Sequence, residues 1–347
     1  MIGAGRDVRG GVSSVVNSYY DAGLDKLCEL TYLPTMEDGS KFKKLLVAAG
    51  ARVRFERLIR ENDILHVHMS ADNSFYRKAV FIRKAHKEGK KVIIHMHGST
   101  FDLFYKERCN DAQKQQVREI FAMADKVIAL SEDWKEFLAE YICDEQKIVV
   151  IYNAVKIPEA YPKDYANRKM LFLGILGQRK GVYDLIEVLP EILRRYPDSH
   201  IYFGGDGERQ QAERLCQEKG IADHVTFLGW VRGDEKEKFL KECSIYVLPT
   251  YHEGMPMSIL EAMSYGMAVI STYVGGIPHI ITDGENGLLC EAGDKAALQE
   301  KLLNLLEDEN LRETLGRNAY SMMTQEFDVR ENVKRVYGMY KEVSKKL

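Results

Sequence analysis

The strongest constraint on this chain is a repeated pair: a short apolar run, then a longer stretch with helical spacing. Ile64-Leu-His-Val-His68, Lys91-Val-Ile-Ile-His-Met-His97, Val127-Ile-Ala-Leu130 and Ile148-Val-Val-Ile151 are such runs, with helical patterns at 74–87, 113–123 and 132–140 between them. Consecutive apolar residues suit a strand covered on both faces, and a helix between two such strands is the connection a parallel sheet requires. Residues 27–33 read as a further strand and 41–60 as a basic helix. The polar stretch at 158–168 interrupts the pattern and reads as a linker. Alternation restarts at Met170-Leu-Phe-Leu-Gly174, with strands predicted near 199–203, 225–228, 245–248, 268–271 and 287–289. A tail at 329–345 is helical, with Val333, Val336, Tyr337 and Tyr340 on its apolar face. At 347 residues the chain exceeds what one core usually serves. The prediction is an α/β chain of two doubly wound parallel-sheet domains, 1–157 and 169–325, with a linker at 158–168 and a final helix within 326–347.

Composition narrows the function. Hydrophobic residues make up 45% and charged ones 29%, and a formal net charge of −3 gives no case for a nucleic-acid partner. The charge is uneven: residues 41–91 hold fourteen Lys or Arg against five Asp or Glu. Such an excess reads either as solvated helix surface or as attraction to an anionic membrane surface or a lipid diphosphate. The six cysteines are scattered without a C-x-x-C pair, which argues against a disulfide framework and a thiolate zinc site. No apolar run reaches spanning length and no signal peptide opens the chain. A cytoplasmic protein is therefore expected, with at most peripheral contact on the inner face of a membrane. Two residues before Gly3 are few for a core strand, so the start reads as shortened.

One strand–loop–helix unit carries the leading candidate site. Ile245-Tyr-Val-Leu-Pro249 runs into Thr250-Tyr-His-Glu-Gly-Met-Pro-Met-Ser-Ile-Leu-Glu-Ala-Met263, with Met257, Leu260, Glu261 and Ser264 at helical spacing. Gly254 and Pro256 lie in the turn, so backbone N–H groups at 255–258 are expected to point outward at the positive end of a helix dipole. That arrangement suits a phosphate. Glu253 stands before the helix and Glu261 about two turns into it. The layout fits a ligand with two hydroxyl-rich ends and a diphosphate between them.

Glu253-x7-Glu261, set in HEGMPMSILEAMSYGMAVI, resembles the signature of retaining family-4 glycosyltransferases of the GT-B fold. The resemblance covers nearly the whole chain. It implies two Rossmann-like domains facing a cleft, a last helix that returns to the first domain, retention of anomeric configuration and no metal. Glu253 would then bind the donor sugar and favour its positive character, and Glu261 would bind the ribose hydroxyls. Gly254, Met255, Pro256, Met257 and Ser258 would line the donor phosphates. In Phe172-Leu-Gly-Ile-Leu-Gly-Gln-Arg-Lys-Gly181, Arg179 and Lys180 stand beside a helix start and form a second phosphate candidate. Lys180-Gly181 matches the family's Lys-Gly. Ile175 stands where the family often has arginine, which leaves Arg179 as the candidate second cation. Gly205 and Asp206, in Phe203-Gly-Gly-Asp-Gly-Glu208, would line the nucleotide pocket rather than hold a metal. Gly10 and Gly11 match the loop that approaches the donor diphosphate, where a side chain would block the backbone. Val274-Gly-Gly-Ile-Pro278 reads as structural.

His95-Met-His97-Gly98 ends one strand and His66 and His68 lie on the preceding one. Alternation puts each pair on one face, and four histidines on neighbouring strands could hold zinc. No carboxylate or thiol accompanies them. His66, His68 and His95 therefore read as core or cleft residues bonded to backbone or water, and no metal or other cofactor is expected. For His97 the resemblance implies a place beside the donor sugar's anomeric centre.

The resulting expectation is a hexosyl-type glycosyltransferase with a nucleotide-sugar donor, a UDP-sugar ahead of a GDP-sugar. A glycan or lipid-linked molecule would be the acceptor, in surface polysaccharide biosynthesis. Two rivals remain: a non-hydrolysing sugar-nucleotide epimerase, and a catalytically silent sugar-nucleotide-binding subunit.

Overall fold

The computed structural model describes residues 1–159 and 162–344, with backbone alone at Lys41. Ala160 and Tyr161 of the expected linker, and 345–347 of the expected tail, lie outside the described residues. The chain divides into two units, Met1–Ala154 with Val329–Leu347, and Val155–Asp328.

The first unit runs β1 (Ile2–Ala4), α1 (Gly11–Asp21), α2 (Leu24–Leu27), β2 (Leu33–Met36), α3 (Lys41–Glu61), β3 (Ile64–Met69), α4 (Asn73–Lys87) and β4 (Lys91–Met96). It continues with α5 (Phe101–Leu103), a π turn at Phe104–Arg108, α6 (Asp111–Ala122), β5 (Lys126–Ala129), α7 (Glu132–Tyr141) and β6 (Ile148–Val150). The strands form one parallel sheet in the order β2-β1-β3-β4-β5-β6. Val67, Val92, Ile94 and Val127 are buried at its centre, as the continuous apolar runs require. The strand expected at 27–33 is displaced. Leu24–Leu27 is a short helix and the strand is Leu33–Met36. Pro34 argues against a strand in isolation, but β2 is the outer strand of the sheet, where a missing N–H is tolerated.

The second unit runs β7 (Lys169–Leu173), α8 (Val182–Arg195), β8 (His200–Gly204), α9 (Arg209–Glu218), β9 (Val225–Gly229), α10 (Gly233–Glu242), β10 (Ile245–Val247), α11 (Met257–Ser264), β11 (Ala268–Thr272), β12 (Leu288–Cys290), α12 (Lys295–Glu307) and α13 (Glu309–Glu326). Its parallel sheet has the order β12-β11-β10-β7-β8-β9. Strand order reverses at the β7–β10 pair, and the C-terminal ends at such a switch point are where open α/β sheets bind ligands. The loops that carry Arg179 with Lys180 and Glu253 leave the sheet at those two ends.

The stretch expected as a linker is packed on the second unit. Lys163 Nζ donates to the Leu240 carbonyl at 2.6 Å, and Tyr165 Oη donates to the Gly266 carbonyl at 2.9 Å. The final helix, α14 (Val329–Ser344), belongs to the first unit, where the Asn332 side chain donates to the Tyr152 carbonyl and Val333 and Val336 are buried. Residues 326–328, expected with the tail, precede it in the second unit.

Candidate functional site

In the second unit, Glu253 is 8% exposed and sits in the loop between β10 and α11. Lys180 Nζ donates to Glu253 Oε1, and Arg179 Nη1 lies 3.8 Å from the same oxygen. The Thr250 hydroxyl is 3.1 Å from Glu253 Oε1 and 3.0 Å from the Arg179 carbonyl. Tyr251 N–H also donates to that carbonyl, at 2.8 Å, which ties the two loops together. The two cations and the carboxylate, read separately in the sequence, form one ion-paired cluster. Lys180 is 13% exposed at its side chain, so little water screens the pair. Arg179 Nη1 donates to the His252 carbonyl at 3.0 Å, while Ile175 is 53% exposed. Arg179, and not Ile175, therefore stands beside Glu253.

Gly275, read as merely structural, holds this loop in place. Its φ is +53°, and a Cβ there would fall 1.8 Å from the Glu253 carbonyl oxygen. Gly276 N–H donates to the Gly254 carbonyl at 2.6 Å. Below the turn, the Met257 and Ser258 N–H groups at the start of α11 have no hydrogen-bond partner among the described residues. They are orphan donors of the kind that donate to an anion. Pro256 precedes them and has no N–H to offer. Within α11, Glu261 Oε1 accepts from Lys236 Nζ at 2.7 Å. Gly205 and Asp206 have a first role within the protein. The Asp206 carbonyl accepts from Leu176 N–H at 2.7 Å, and a Cβ on Gly205 would fall 1.8 Å from the Gly174 carbonyl oxygen.

The first unit builds a different cluster. In the sheet register His68 lies opposite His95, so the histidines of β3 and β4 share one face. His66, His68 and His95 are buried. Their ring nitrogens bond to one another and to tyrosine. His66 Nδ1 meets Tyr340 Oη, His66 Nε2 is 3.2 Å from His95 Nδ1, and His68 Nδ1 is 2.9 Å from His97 Nε2. The Tyr19 ring stacks over His95. Burial holds all four imidazoles below their ordinary range, His95 at about 3, so they are neutral at pH 7. Neighbouring histidines and Lys78 reinforce this for His97. Ring nitrogens of His66, His68 and His95 lie within 4.8 Å of one another, which makes these three the group among the described residues that could hold a metal. Both nitrogens of His66 are already engaged by Tyr340 and His95. Gly10 caps α1 and Gly11 begins it, and an added Cβ at either would meet nothing within 4 Å.

Residues 18–157 match the family model described as Glycosyltransferase Family 4, and residues 153–322 match Glycosyl transferases group 1. The chain is 34% identical over 221 residues to the uncharacterized glycosyltransferase MJ1178 of Methanocaldococcus jannaschii, a match spanning 64% of this chain and 60% of that one. The fold is that of sucrose-phosphate synthase from Thermosynechococcus elongatus, with a TM-score of 0.80 at 19% identity over 100% of this chain and 98% of the other. It is also that of Anabaena HepE, solved in complex with UDP, with a TM-score of 0.78 at 17% identity over 98% of each. The chain is a family-4 glycosyltransferase of the GT-B fold.

Within this glycosyltransferase, three contributors to the candidate site escape sequence reasoning. Lys236 is one of several charges in Gly233-Asp-Glu-Lys-Glu-Lys238, and nothing in that run marks it as the partner of Glu261. Thr250 reads as a loop residue until its hydroxyl is placed against Glu253. Lys78 was counted among the surface cations, yet it is buried, bonded to Ser74 Oγ at 2.8 Å and pushed down to about 7 by burial. Its place three residues after Phe75 and four before Ile82, on the apolar face of α4, is the available signal.

Proposed function

We propose that the chain is a retaining, metal-independent hexosyltransferase that moves a sugar from a UDP-sugar to a glycan or lipid-linked acceptor in surface polysaccharide biosynthesis. The observation that carries the reading is the Lys180–Glu253–Arg179 cluster beside the orphan N–H groups of Met257 and Ser258. Sugar transfer breaks the bond from the anomeric carbon to a phosphate oxygen and forms a bond to the acceptor hydroxyl, whose proton is lost. Negative charge grows on the departing diphosphate and positive charge on the sugar ring. Groups already aimed at both charges lower the barrier, because they need no reorganisation during the step.

In this reading a diphosphate draws Lys180 and Arg179 and accepts from the Met257 and Ser258 N–H groups. Glu253 is thereby released from Lys180 to hold the donor sugar and stabilise its positive character. Glu261 takes the ribose hydroxyls in place of Lys236. Gly205 and Asp206 shape the nucleotide pocket, and Gly254, Met255 and Pro256 set the turn. His97 of the first unit keeps the role its family position suggests, as a neutral hydrogen-bonding partner of the sugar, and Gly10 and Gly11 leave room for a ligand. Uridine is favoured over guanosine because the structurally similar HepE was solved with UDP. Peripheral contact with an anionic membrane surface is part of the proposal. It draws on the basic excess of 41–91 and on a chain with no helix among the described residues long and apolar enough to cross a membrane.

Incubation with candidate UDP-sugars and lipid-linked or glycan acceptors tests the proposal. Free UDP should appear together with a glycosylated acceptor of unchanged anomeric configuration. An epimerase would instead change the donor sugar without acceptor, and a silent subunit would bind nucleotide without either product.

A further inference from the structure

The helix α3 has two apolar faces, and one of them is covered. Ala51, Phe55 and Ile59 face inward, with the Phe55 ring edge-on to Phe81 at 4.9 Å. Phe42, Leu46, Ala49 and Val53 fall at four-, three- and four-residue steps on the opposite side, and Leu45 lies next to them. Phe42 is 70% exposed, Leu45 66%, Leu46 56% and Val53 76%. These are the four most exposed large apolar side chains among the described residues. A solvated helix face would carry polar groups there, so the stripe calls for an occupant.

Charge says which occupant. The helix carries seven Lys or Arg against two Glu. Lys43 and Arg54 border the stripe on one side and Arg52 on the other, while Arg57 and Arg60 continue its line toward the C-terminal end. Lys44, Arg52 and Arg54 make no ion pair among the described residues. An apolar row rimmed by cations, on a helix of 21 residues, matches the interface between acyl chains and anionic headgroups. A polar or acidic protein partner would leave Phe42, Leu46 and Val53 without apolar contact.

We infer that the outer face of α3 docks on an anionic lipid bilayer, with Phe42, Leu45, Leu46 and Val53 entering the headgroup–acyl boundary and the flanking cations engaging the headgroups. This deepens the membrane contact proposed above by making it an insertion rather than a charge attraction alone. It rests on the lipid-linked acceptor reading for its purpose, but its test does not involve the transfer reaction.

The full chain is sedimented with phosphatidylcholine vesicles and with vesicles containing phosphatidylglycerol, at low and high salt. Two variants accompany it: Phe42→Ser with Leu46→Ser and Val53→Ser, and Arg52→Gln with Arg54→Gln. The wild type should prefer anionic vesicles by about tenfold or more at low salt, and part of its binding should survive high salt. The triple serine variant should lose about tenfold or more at low salt with every cation retained. The double glutamine variant should lose the salt-sensitive part. UDP binding measured on the same samples should be unchanged, so failure of the donor site would appear separately from failure of docking. Emission of a Phe42→Trp variant should shift to the blue on anionic vesicles, which keeps the test open if the serine variant is unstable. No lipid preference by the wild type at low salt would overturn the inference, as would a serine variant that binds like wild type. Self-association of the wild type without lipid, lost in the serine variant, would assign the stripe to a second copy instead.

Discussion

The ends of β3 and β4, consecutive strands of the first unit, and the ends of β7 and β10, at the switch point of the second, are both C-terminal edges of parallel sheets, yet they hold opposite chemistry. One gathers four imidazoles that burial keeps neutral. The other gathers a carboxylate and two cations that pair with one another. A doubly wound sheet supplies strand ends and loops, and the side chains decide what the place can do. The neutral cluster is suited to orienting groups without attracting charge. In the proposed function the charged cluster exchanges an internal partner for an anion of the substrate.

The largest effect expected from this contrast is on turnover. Glu253→Gln keeps the size of the side chain and removes its charge, so the rate should fall by roughly 10²–10³. UDP affinity should change little, since the phosphate partners remain. Comparable loss on removing His97 charge potential is not expected, because His97 is already neutral. Full rate in Glu253→Gln with every donor the wild type uses would break the assignment.

Acid should separate the two units next. A histidine kept neutral in the folded state has a depressed pKa, and the unfolded chain takes up its proton near pH 6.5. The unfolded state therefore binds more protons as the pH falls below that value, and stability is lost from about pH 6.5 downward, toward about 3 for His95. Each of the four contributes on the order of 1 kcal/mol per pH unit in that window. The second unit carries one histidine with the same direction of shift, His200, which is less enclosed. Denaturant unfolding followed through Trp134 of the first unit and Trp230 of the second, between pH 7 and 5, measures this. The Trp134 signal should move to lower denaturant first. Parallel movement of both would show that the imidazole cluster is not the acid-sensitive element.

The smallest effect is expected at Glu261. Glu261→Ala should weaken UDP binding by about tenfold through loss of a hydrogen-bonded ribose partner, with little effect on the rate at saturating donor. Lys236→Ala should not weaken it, because in the proposed function the ribose displaces Lys236. Equal losses in both variants, read by calorimetry, would mean that the pair acts as a structural tie.

Much of this was legible in the sequence, for physical reasons. Val92-Ile-Ile94 and Val127-Ile128 announce buried parallel strands because both faces are covered. Gly254 and Pro256 announce a turn before a helix. What could not be read is pairing across distance. Lys180 and Glu253 are 73 residues apart, and their contact depends on β7 lying beside β10, an order that no local pattern encodes. The histidines share a face by alternation, but their mutual bonding follows from His68 standing opposite His95. Likewise α3 reads as one basic helix, because a stripe on each side blurs its apolar periodicity, and only burial separates the covered side from the open one.

The central claim, that the charged cluster is a diphosphate site, is tested most directly by calorimetric titration of wild type and Lys180→Ala with UDP and with uridine. Loss of one charge-assisted contact, about 1.5–3 kcal/mol, predicts a Kd for UDP raised on the order of 10- to 100-fold, with uridine binding unchanged. Equal loss for both ligands, or no loss for either, would contradict the account and leave Lys180 as a structural partner of Glu253.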